Sequence, residues 1–475
     1  MPLRFSRFDH EILITGEAGD FYFLSIEDFD KLLSEKSDAS SQIYKDLKSL
    51  NFIADDDLMT AVNMTSTRYR SKKAFLTNFT TLHMMVVTVR CNHKCKYCQV
   101  SCEDENAKQY DMSPEIAKKV VDLAFKSPSK HIKIEFQGGE PLLNWIAVQA
   151  ATERANKLQK KTGKELEIVI CTNLTLMNEE KLNFIKENNI LISTSLDGPQ
   201  NIHDKFRVMR DGSSSYSKFL DKLSTTRTHL GHDRVGALMT TTPLTLKNIR
   251  PIIDDYIKLE FDGIFLRSLN PYGFASELKN ELQYSMDEFV EMYKNALEYI
   301  ITLNKNGTRF VEYYTTLLLK KILTPFSTSF VDLQSPSGAG ISGVIYDYNG
   351  NIYPADEARM LSRMGDDFFL MGNVDETYSE VFGGKVLKNI VVNSCLEIMP
   401  VCGDCVYLPY CGADPIRNYL ETKDIIGDRP SSPFCKKHKL IFKYLFEKIK
   451  QNEKETMDIF WSWITNRNCS KNAQN

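Results

Sequence analysis

The stretch Thr88-Val-Arg-Cys-Asn-His-Lys-Cys-Lys-Tyr-Cys-Gln99 places Cys91, Cys95 and Cys98 at Cys-x3-Cys-x2-Cys spacing. Three thiolates on one loop can hold three irons of a [4Fe–4S] cluster and leave the fourth iron open. The apolar run Leu82–Val89 before the loop is typical of a buried parallel strand. The loop should therefore follow the C-terminal end of a strand, which is where barrel enzymes carry their chemistry.

The composition is that of an ordinary globular protein. The chain has 475 residues, of which 42% are hydrophobic and 25% are charged, enough for two or three domains with buried cores. A net charge of −3, from 59 basic and 62 acidic residues, gives no reason to expect nucleic acid or a membrane as partner. The first residues lack an apolar signal core, and no apolar run approaches the roughly 18 residues that span a membrane. We therefore expect a cytoplasmic protein.

The eleven cysteines of a cytoplasmic protein are better explained as metal ligands than as disulfides. For the loop, a zinc site is the alternative to an iron–sulfur cluster, with His93 or another thiolate as the fourth ligand. The loop by itself leaves both interpretations open.

After the loop, short apolar runs alternate with amphipathic helical stretches. The predicted strands are Ile132–Phe136, Leu166–Ile170, Ile190–Ser195, Val235–Thr240 and Gly263–Leu269. The predicted helices include Pro114–Phe125, Leu143–Lys161 and Glu179–Asn188. This alternation predicts an α/β fold with right-handed crossovers, a partial (β/α)6 barrel of the TIM type. Its open side would admit a bulky substrate such as a polypeptide.

Residues 1–75 are expected to form a small module. Glu11–Ile14 and Phe21–Leu24 have the pattern of a hairpin, and Ser25 is a helix cap. A hairpin followed by helices resembles the winged-helix peptide-recognition modules, in which a leader peptide adds as a strand. A structural cap on the barrel is the alternative. We expect Asn63–Lys73 to be a linker or a solvated face.

Further motifs follow the cysteine loop in a fixed order. They are Gly138-Gly-Glu-Pro141, then Ser195-Leu-Asp-Gly198, then His203-Asp204 and Arg207. With the cysteine triplet, this set resembles the radical S-adenosylmethionine (SAM) enzymes, in the branch with a cysteine-rich C-terminal domain of the SPASM type. The resemblance covers roughly residues 80–440.

The resemblance implies a SAM site. The amino-acid end of SAM would chelate the open iron, Tyr97 would contact its adenine end, and Leu269 would lie near the adenine. The other implied SAM contacts are the backbone of Gly138 and Gly139, the Glu140 carboxylate on the ammonium group, Ser195 on the ribose or carboxylate, and Arg207 on the carboxylate. For Arg207 the alternative is an ion pair with Asp204 or Asp211.

A second group of cysteines lies in the C-terminal third. Cys402, Cys405, Cys411 and Cys435 match the SPASM pattern for one auxiliary [4Fe–4S] cluster, and a zinc site is the alternative. The family's other auxiliary site lacks its cysteines here, because Gly338-Ala-Gly340, Ala355 and Pro415 stand in their places. We therefore expect two clusters in all. Cys395 falls outside the pattern, and Cys469 lies in a C-terminal tail expected to be inert.

More narrowly, the chain resembles the B-type radical SAM maturase of the His-Xaa-Ser peptide system. The segments that carry this likeness are Pro2-Leu-Arg-Phe5, Ser71-Lys-Lys-Ala-Phe-Leu76, the cysteine loop with Gln99-Val-Ser101, and Cys411-Gly-Ala-Asp-Pro415. It implies a precursor peptide with His-Xaa-Ser repeats as substrate and a flavodoxin- or ferredoxin-type electron donor. SAM would be reduced to methionine and a 5′-deoxyadenosyl radical, which takes a hydrogen atom from the peptide.

The acid after the missing cysteine, Asp356, is retained from the sulfatase-type maturases. We expect it to be a general base, with a turn-capping aspartate as the alternative. Oxidation of Ser or Cys to formylglycine, thioether formation, and a non-catalytic zinc protein that binds peptides are the other functions considered. The expected domains are 1–75 for peptide recognition, 76–320 for the barrel, 321–440 for the auxiliary cluster, and 441–475 for a helix and tail.

Overall fold

The structure is a computed structural model that describes residues 2–55, 57–270, 272, 279–328 and 330–467. The chain folds into two compact units, and each unit consists of segments that are not contiguous in the sequence. The barrel unit contains residues 78–314 and 339–390, and the terminal unit contains residues 1–77, 315–338 and 391–475.

In chain order the strands are β1 (Leu3–Phe8), β2 (Glu11–Gly16), β3 (Phe21–Ser25), β4 (Leu82–Thr88), β5 (His131–Gly138), β6 (Glu165–Cys171), β7 (Leu191–Ser195), β8 (Val235–Leu238), β9 (Gly263–Ile264), β10 (Val311–Glu312), β11 (Gly343–Tyr346), β12 (Asn351–Tyr353) and β13 (Gly372–Asn373).

The helices are α1 (Ile26–Leu33), α2 (Gln42–Ser49), α3 (Leu58–Lys72), α4 (Pro114–Ala124), α5 (Trp145–Thr162), α6 (Glu179–Glu187), α7 (Gln200–Phe206), α8 (Ser215–Leu230), α9 (Pro243–Lys247), α10 (Ile249–Lys258), α11 (Lys279–Leu282), α12 (Met286–Lys305), α13 (Tyr313–Leu323), α14 (Asp356–Arg363), α15 (Tyr378–Phe382), α16 (Lys385–Val392), α17 (Pro415–Thr422), α18 (Pro433–Gln451) and α19 (Lys454–Thr465).

The sheet of the barrel unit has the order β13-β12-β11-β4-β5-β6-β7-β8. Strands β4 to β8 pair in parallel and in sequence, with helices between them, as the α/β alternation predicted. In β5, Ile132, Ile134 and Phe136 are fully buried while Lys133 and Glu135 are half-buried, because successive side chains point to opposite faces. The predicted α/β barrel is confirmed.

The last predicted strand, Gly263–Leu269, is much shorter than expected. Only Gly263–Ile264 is extended and paired, and among the described strands it pairs with β10 rather than with β8. The apolar run continues beyond it, but Glu312 accepts a hydrogen bond from the Leu266 amide at 2.9 Å and so replaces a strand partner. The sheet thus gains its extra strands at the β4 edge, where β11 pairs in parallel.

That pairing changes the expected domain boundaries. Residues 339–390, predicted to lie in an auxiliary domain spanning 321–440, belong to the barrel unit. The reason is that Val344 and Ile345 of β11 lie opposite His83 and Met84 of β4. A boundary drawn from cysteine spacing alone could not reveal this strand.

The N-terminal residues form the predicted hairpin, preceded by one further strand. In the sheet β1-β2-β3 the β2–β3 turn lies at Gly16–Asp20, and the Ser25 side chain accepts from the Asp28 amide as the cap of α1. Buried apolar side chains of β2, β3, α1, α2 and the segment after α2 pack into one core; they are Ile12, Ile14, Leu24, Phe29, Leu47 and Phe52.

Residues 1–75 are not a separate module, however. Thr15 donates to the Val406 carbonyl at 2.8 Å, and the Tyr410 hydroxyl donates to the Gly19 carbonyl at 3.0 Å. The rings of Phe21 and Phe446 also meet edge to face at 5.1 Å. The N-terminal sheet therefore shares one unit with the C-terminal residues, and the division between 1–75, 321–440 and 441–475 is corrected accordingly.

The segment Asn63–Lys73 is helical rather than a linker. It lies largely within α3, and Lys72 donates to the Lys321 carbonyl at 2.6 Å. Burial lowers the pKa of Lys72 to about 8. A polar sequence can thus be a packed helix when its lysines reach carbonyl partners. Residues 468–475, which include Cys469, lie outside the described part of the chain.

None of the described helices combines the length and the apolar character needed to cross a membrane.

Candidate active site

The loop that follows β4 brings Cys91, Cys95 and Cys98 to one cavity of the barrel unit. Cys91 is 7% exposed, and its amide donates to the Glu103 carbonyl at 3.1 Å. The Cys98 amide donates to the Cys95 carbonyl at 3.1 Å, so the loop turns tightly between these two thiols. The strand end therefore presents all three thiols to the same space, as their spacing predicted.

A fourth cysteine, Cys102, lines the same cavity and was missed from the sequence. It is 6% exposed, and its sulfur lies 3.7 Å from the His93 carbonyl oxygen. The signal that could have found it is its spacing, because Cys102 follows Cys98 after only three residues.

Both ring nitrogens of His93 lie within hydrogen-bonding distance of side chains of this protein. Its Nε2 lies 2.8 Å from the Ser215 hydroxyl, and its Nδ1 lies 2.9 Å from the Asn173 side-chain amide. Burial lowers its pKa to about 3, so the ring is neutral. With both ring nitrogens engaged, His93 does not supply the fourth ligand that a zinc site in this loop would take from it.

Gly138 and Gly139 lie at the end of β5, beside the loop. A Cβ atom on Gly138, whose φ is +136°, would lie 1.9 Å from the Thr88 carbonyl oxygen, and one on Gly139 would lie 2.2 Å from the Arg90 carbonyl oxygen. The two glycines are thus required by the close approach of β4 and β5. Both also line the cavity, where their backbone is accessible to a ligand.

Glu140 is fully buried and engaged by the polypeptide. Its carboxylate accepts from the Leu142 amide at 3.0 Å, the Thr172 hydroxyl at 2.7 Å and the Asn173 amide at 2.8 Å. Burial raises its pKa to about 6. Glu140 therefore links the segments that follow β5 and β6. Its contact with a SAM ammonium group remains a prediction.

Tyr97, Asp197 and Arg207 form a buried network at the cavity. The Tyr97 hydroxyl and the Arg207 Nε both donate to Asp197, the latter at 3.1 Å, and the guanidinium lies 5.4 Å from the Tyr97 ring centre. Burial would lower the pKa of Arg207, but the Asp197 carboxylate raises it above its usual value. Arg207 therefore pairs with Asp197 instead of Asp204 or Asp211, and its role as a SAM ligand remains a prediction.

Ser195 and Leu269 both belong to the barrel unit, and their contacts with SAM remain predictions. Ser195 ends β7 and lines the cavity together with the cysteine loop. Leu269 packs with Tyr97, Phe206 and Leu282 in one apolar cluster. The predicted adenine-side residues Tyr97 and Leu269 are thus neighbours.

The donor set at the cavity fits a [4Fe–4S] cluster with SAM on its open iron. Its lining includes the three thiols of the triplet together with the glycine backbone, Ser195 and Arg207. In the described part of the chain no three His, Cys, Asp or Glu side chains converge closely enough to bind a single metal ion. A four-iron cluster spreads its thiolates more widely, because each one binds a different iron.

The second cysteine group is assembled within the terminal unit. Cys402, Cys405, Cys411 and Cys435 line one cavity whose walls are largely apolar. The apolar residues of the wall are Leu396, Leu408, Phe434 and Phe442. Burial raises the pKa of Cys411 to about 11, so its thiolate would form as a metal binds. The structure thus brings together the four cysteines of the predicted auxiliary cluster.

Cys395 is not part of that group. Its sulfur donates to the Val391 carbonyl at 3.3 Å, and it does not line the cavity of the four cysteines. At the position of the missing auxiliary site, the Gly340 amide donates to the Pro354 carbonyl at 2.7 Å, next to the buried Ala355.

Asp356 is the first residue of α14, whose cap residue is Ala355. Its carboxylate does not cap the helix in the usual way; it accepts from the Nε of Arg359 at 3.0 Å. Arg359 is fully buried, and Arg363 on the same helix pairs with Glu103, just after the cysteine loop, at 2.6 Å. Asp356 therefore lies on a helix beside the cysteine loop, held by an arginine that the sequence did not single out.

The same region of the chain matches known proteins. The Radical SAM superfamily profile matches residues 85–256. The serine-type anaerobic sulfatase-maturating enzyme of Bacteroides thetaiotaomicron is 32% identical over 402 residues, covering 79% of this chain and 92% of that enzyme. The cysteine-type enzyme of Clostridium perfringens is 27% identical over 376 residues, covering 76% of this chain and 94% of its own length.

Solved structures share the fold at low sequence identity. The structure of anSMEcpe with bound AdoMet and Cp18Cys peptide has a TM-score of 0.64 and 21% identity, covering 78% of this chain and 98% of that chain. Streptococcus suis SuiB bound to precursor peptide SuiA has a TM-score of 0.55 and 12% identity, covering 90% of this chain and 98% of that chain. The chain therefore belongs to the radical SAM superfamily, in the group of the anaerobic sulfatase-maturating enzymes, and it uses SAM with a [4Fe–4S] cluster.

Proposed function

We propose that this radical SAM enzyme modifies a ribosomally made peptide, a small protein with His-Xaa-Ser repeats. The observation that carries the peptide class is the N-terminal sheet of three strands followed by three helices. SuiB, solved with its precursor peptide, matches 90% of this chain, whereas anSMEcpe matches 78%. The larger coverage supports a recognition element beyond the sulfatase-maturase architecture.

The sheet has edges at which a peptide could add. Among the described strands, β1 and β3 each pair with β2 alone. An extended peptide laid along either strand would gain main-chain hydrogen bonds without rearranging the sheet. The exposed Phe5 ring, 4.8 Å from the ring centre of Phe29, offers an apolar contact for a side chain of the peptide.

Two segments that carry the likeness to the His-Xaa-Ser maturase, Pro2–Phe5 and Ser71–Leu76, contact the region of the second cysteine group. Arg4 donates to the Gly403 carbonyl at 2.5 Å and pairs with Glu17 at 2.9 Å. Lys73 pairs with Glu397 at 2.5 Å. These contacts, all within the terminal unit, support a role for the motifs in joining peptide recognition to the auxiliary cluster.

The residues and cofactors of the site are proposed to have separate roles in the reaction. When bound, SAM and its cluster supply a 5′-deoxyadenosyl radical that removes a hydrogen atom from the peptide. Arg207 and Ser195 hold SAM, while Tyr97 and Leu269 shield its adenine from water. Asp356, fixed by Arg359, accepts a proton from the substrate side chain. The auxiliary cluster and a flavodoxin- or ferredoxin-type protein would carry electrons.

The second candidate function is oxidation of a Ser or Cys residue to formylglycine. The 32% identity to a serine-type sulfatase-maturating enzyme favours it, as does the retained acid Asp356. A peptide that reaches the site by its own extended backbone would not need the N-terminal sheet, and that sheet would then be a structural cap. A cytoplasmic location, where thiols stay reduced, suits both functions.

Co-expression with two peptides separates these functions. One peptide carries His-Xaa-Ser repeats, and the other carries a sulfatase-type Ser or Cys sequence. We expect mass spectrometry to show loss of hydrogen from the first peptide only, with no product that reacts with a hydrazide. A hydrazide-reactive aldehyde on the second peptide, and none on the first, would instead establish the sulfatase-type reaction.

The control is the enzyme in which Cys91, Cys95 and Cys98 are replaced by Ala. It should leave both peptides unmodified. Colourless protein without iron, after anaerobic purification of the unaltered chain, would contradict any radical function and favour a zinc protein, because zinc thiolates do not absorb visible light.

Hydrogen exchange tests the recognition edge in the intact protein. Binding of the repeat peptide should protect amides of β1 or β3, and exchange in α4 of the barrel unit serves as the internal reference. Bound peptide without protection in either strand would assign residues 1–75 to the role of a cap.

A further inference from the structure

Arg429 is a buried cation in the wall of the second cysteine group. It is 6% exposed, and it lines the cavity of Cys402, Cys405, Cys411 and Cys435 from the segment that precedes α18. Burying a guanidinium group is costly unless its charge and its N–H groups find partners. The partners that Arg429 has in the described part of the chain therefore indicate what its burial serves.

The protein itself provides Arg429 with only some of these partners. Its Nη2 donates to the Gly412 carbonyl at 2.9 Å. Within the described ranges, its buried Nε has no hydrogen-bond partner, and no carboxylate oxygen lies within ion-pair distance of the guanidinium. Arg417, which is also buried, pairs with Glu421 at 3.0 Å. Among the described residues, Arg429 is thus a buried positive charge without a counter-ion.

The contact with Gly412 places Arg429 beside the third thiol of the group. Gly412 follows Cys411, whose carbonyl accepts from the Nζ of Lys321 at 3.3 Å. A Cβ atom on Gly412 would lie 2.2 Å from the Asp332 carbonyl oxygen. The turn that carries Cys411 is therefore packed closely against another segment of the same unit, and Arg429 is fixed to that turn.

The other basic side chains of the cavity wall do not supply a buried charge. The Nδ1 of His438 lies 2.8 Å from the Phe434 carbonyl oxygen, so this nitrogen is engaged within α18. Lys439 is exposed to solvent at the edge of the cavity, where water screens its charge. Arg429 is therefore the buried group of this wall that carries a permanent positive charge.

A cluster held by four thiolates would supply the counter-ion that Arg429 lacks. Such a cluster carries a net negative charge, which increases by one when the cluster takes up an electron. A buried positive charge nearby stabilises the more negative, reduced state and so raises the reduction potential. The same charge would have a much weaker effect if water surrounded it.

We propose that Arg429 raises the reduction potential of the auxiliary cluster by acting as its buried counter-charge. Arg429 is a positioning residue, since it supplies charge and no ligand to the metal. The electron that the cluster takes up comes from the donor protein, and no bond to Arg429 forms or breaks. Electron transfer through this cluster belongs to the proposed function, whereas its potential can be measured without any peptide.

The test is a redox titration followed by EPR, on reconstituted protein in which Cys91, Cys95 and Cys98 are replaced by Ala. In this background the signal comes from the auxiliary cluster, and neither SAM nor peptide is added. Arg429→Met should lower the equilibrium constant for reduction at least about tenfold, which lowers the potential by about 59 mV for one electron. Arg429→Lys keeps the charge and should stay within about threefold of protein with Arg429.

Lys439→Met is the matched control, because it removes the same charge from the exposed edge of the same cavity. Its equilibrium constant should change by less than about twofold, since water already screens that charge. Equal potentials with Arg429 and with Met at this position would overturn the proposal. An equal fall in Arg429→Met and Arg429→Lys would also overturn it, because packing rather than charge would then explain the fall.

If Arg429→Met takes up no iron, Arg429→Gln decides, because its amide can donate to the Gly412 carbonyl while carrying no charge. A normal potential in the Gln variant would contradict the counter-charge and leave Arg429 as a support for the turn at Cys411. Uptake of zinc but not of iron by the four cysteines would contradict the proposal as well. Because no peptide enters the measurement, the proposed substrate can be wrong without changing this result.

Discussion

The cysteine loop of the barrel unit and the second cysteine group of the terminal unit differ in how they are assembled. Cys91, Cys95 and Cys98 come from eight consecutive residues after β4, whereas Cys435 joins its group from α18, 24 residues beyond Cys411. The loop lines a cavity that also contains hydroxyl and guanidinium groups, and the second group is enclosed largely by aliphatic and aromatic side chains.

This difference in assembly matches the different roles expected for a SAM-binding cluster and an auxiliary cluster. A triplet on one loop leaves an iron open to SAM, and the polar groups around it can orient that ligand. Four thiolates within apolar walls can satisfy every iron and exclude water. The site proposed for the reaction is thus formed by one short loop that leaves an iron position open. The closed site is formed by segments distant in the sequence and is enclosed by apolar side chains.

Removing the triplet should have the largest effect. Replacement of Cys91, Cys95 and Cys98 by Ala should reduce SAM cleavage below detection, because thiolates are what hold the irons. Bound iron should fall from about eight to about four atoms per chain. Anaerobic assays of 5′-deoxyadenosine and iron measure this, and Cys395→Ala is the control with both clusters intact. About twelve irons in the unaltered enzyme would mean that the second auxiliary site is present.

The second-largest effect is expected from removing one thiolate ligand of the auxiliary cluster. Cys435→Ser should lower peptide modification by at least about tenfold, since it exposes one iron of the auxiliary cluster. SAM cleavage without peptide should remain, because the triplet is untouched. Iron content and product yield, measured on the same preparation, check both statements. Full modification of the peptide by iron-depleted variant would remove the auxiliary cluster from the reaction.

Asp356→Asn tests the chemistry beside the open site. Asn keeps the size of the side chain but cannot take a proton, so modification should fall about 100-fold with normal iron and normal SAM cleavage. Glu357→Gln, one residue along α14, is the control expected to retain activity. Peptide modification at the normal rate in the Asn variant would reduce Asp356 to a structural partner of Arg359.

The smallest expected effect concerns Glu140, whose amide donates to the Arg90 carbonyl beside the cysteine loop. Its pKa is raised by burial from 4.5 to about 6, so the folded protein favours the protonated acid. That contribution to stability is complete below pH 4.5 and is lost as the pH rises through 6, about 2 kcal/mol in all. Thermal unfolding of Glu140→Gln between pH 5.5 and 7.5 should show less of this decline than unaltered protein. Equal pH dependence would mean that Glu140 titrates normally in the folded state.

Local patterns predicted the elements that depend on neighbouring residues. The strands His131–Gly138 and Glu165–Cys171 follow from alternating and continuous apolar runs, and Ser25 caps α1 as its spacing to Asp28 suggested. The short strand β11 escaped prediction, because its four residues signal a strand only when β4 lies beside them.

The site was predictable to the same extent. Spacing alone brought the triplet together, because a loop of eight residues cannot separate its thiols by much. The partners Asp197 and Arg359 were not predicted. Asp197 accepts a hydrogen bond from Arg207, ten residues away, and Arg359 donates to Asp356 on the preceding turn of α14. Such contacts depend on how the side chains pack, which a sequence pattern does not show.

The sequence by itself determined that this protein has a cysteine triplet, the glycine pair Gly138-Gly139 and the further motifs of a radical SAM enzyme in their usual order. The tertiary structure decided which units they belong to. It joined residues 1–77 to residues 391–475, gave strand β11 to the barrel, and placed Cys102 in the cavity of the triplet. The physical reason is that motif chemistry depends on residue type and short spacing, whereas pairing of strands and burial of side chains depend on surfaces from distant parts of the chain.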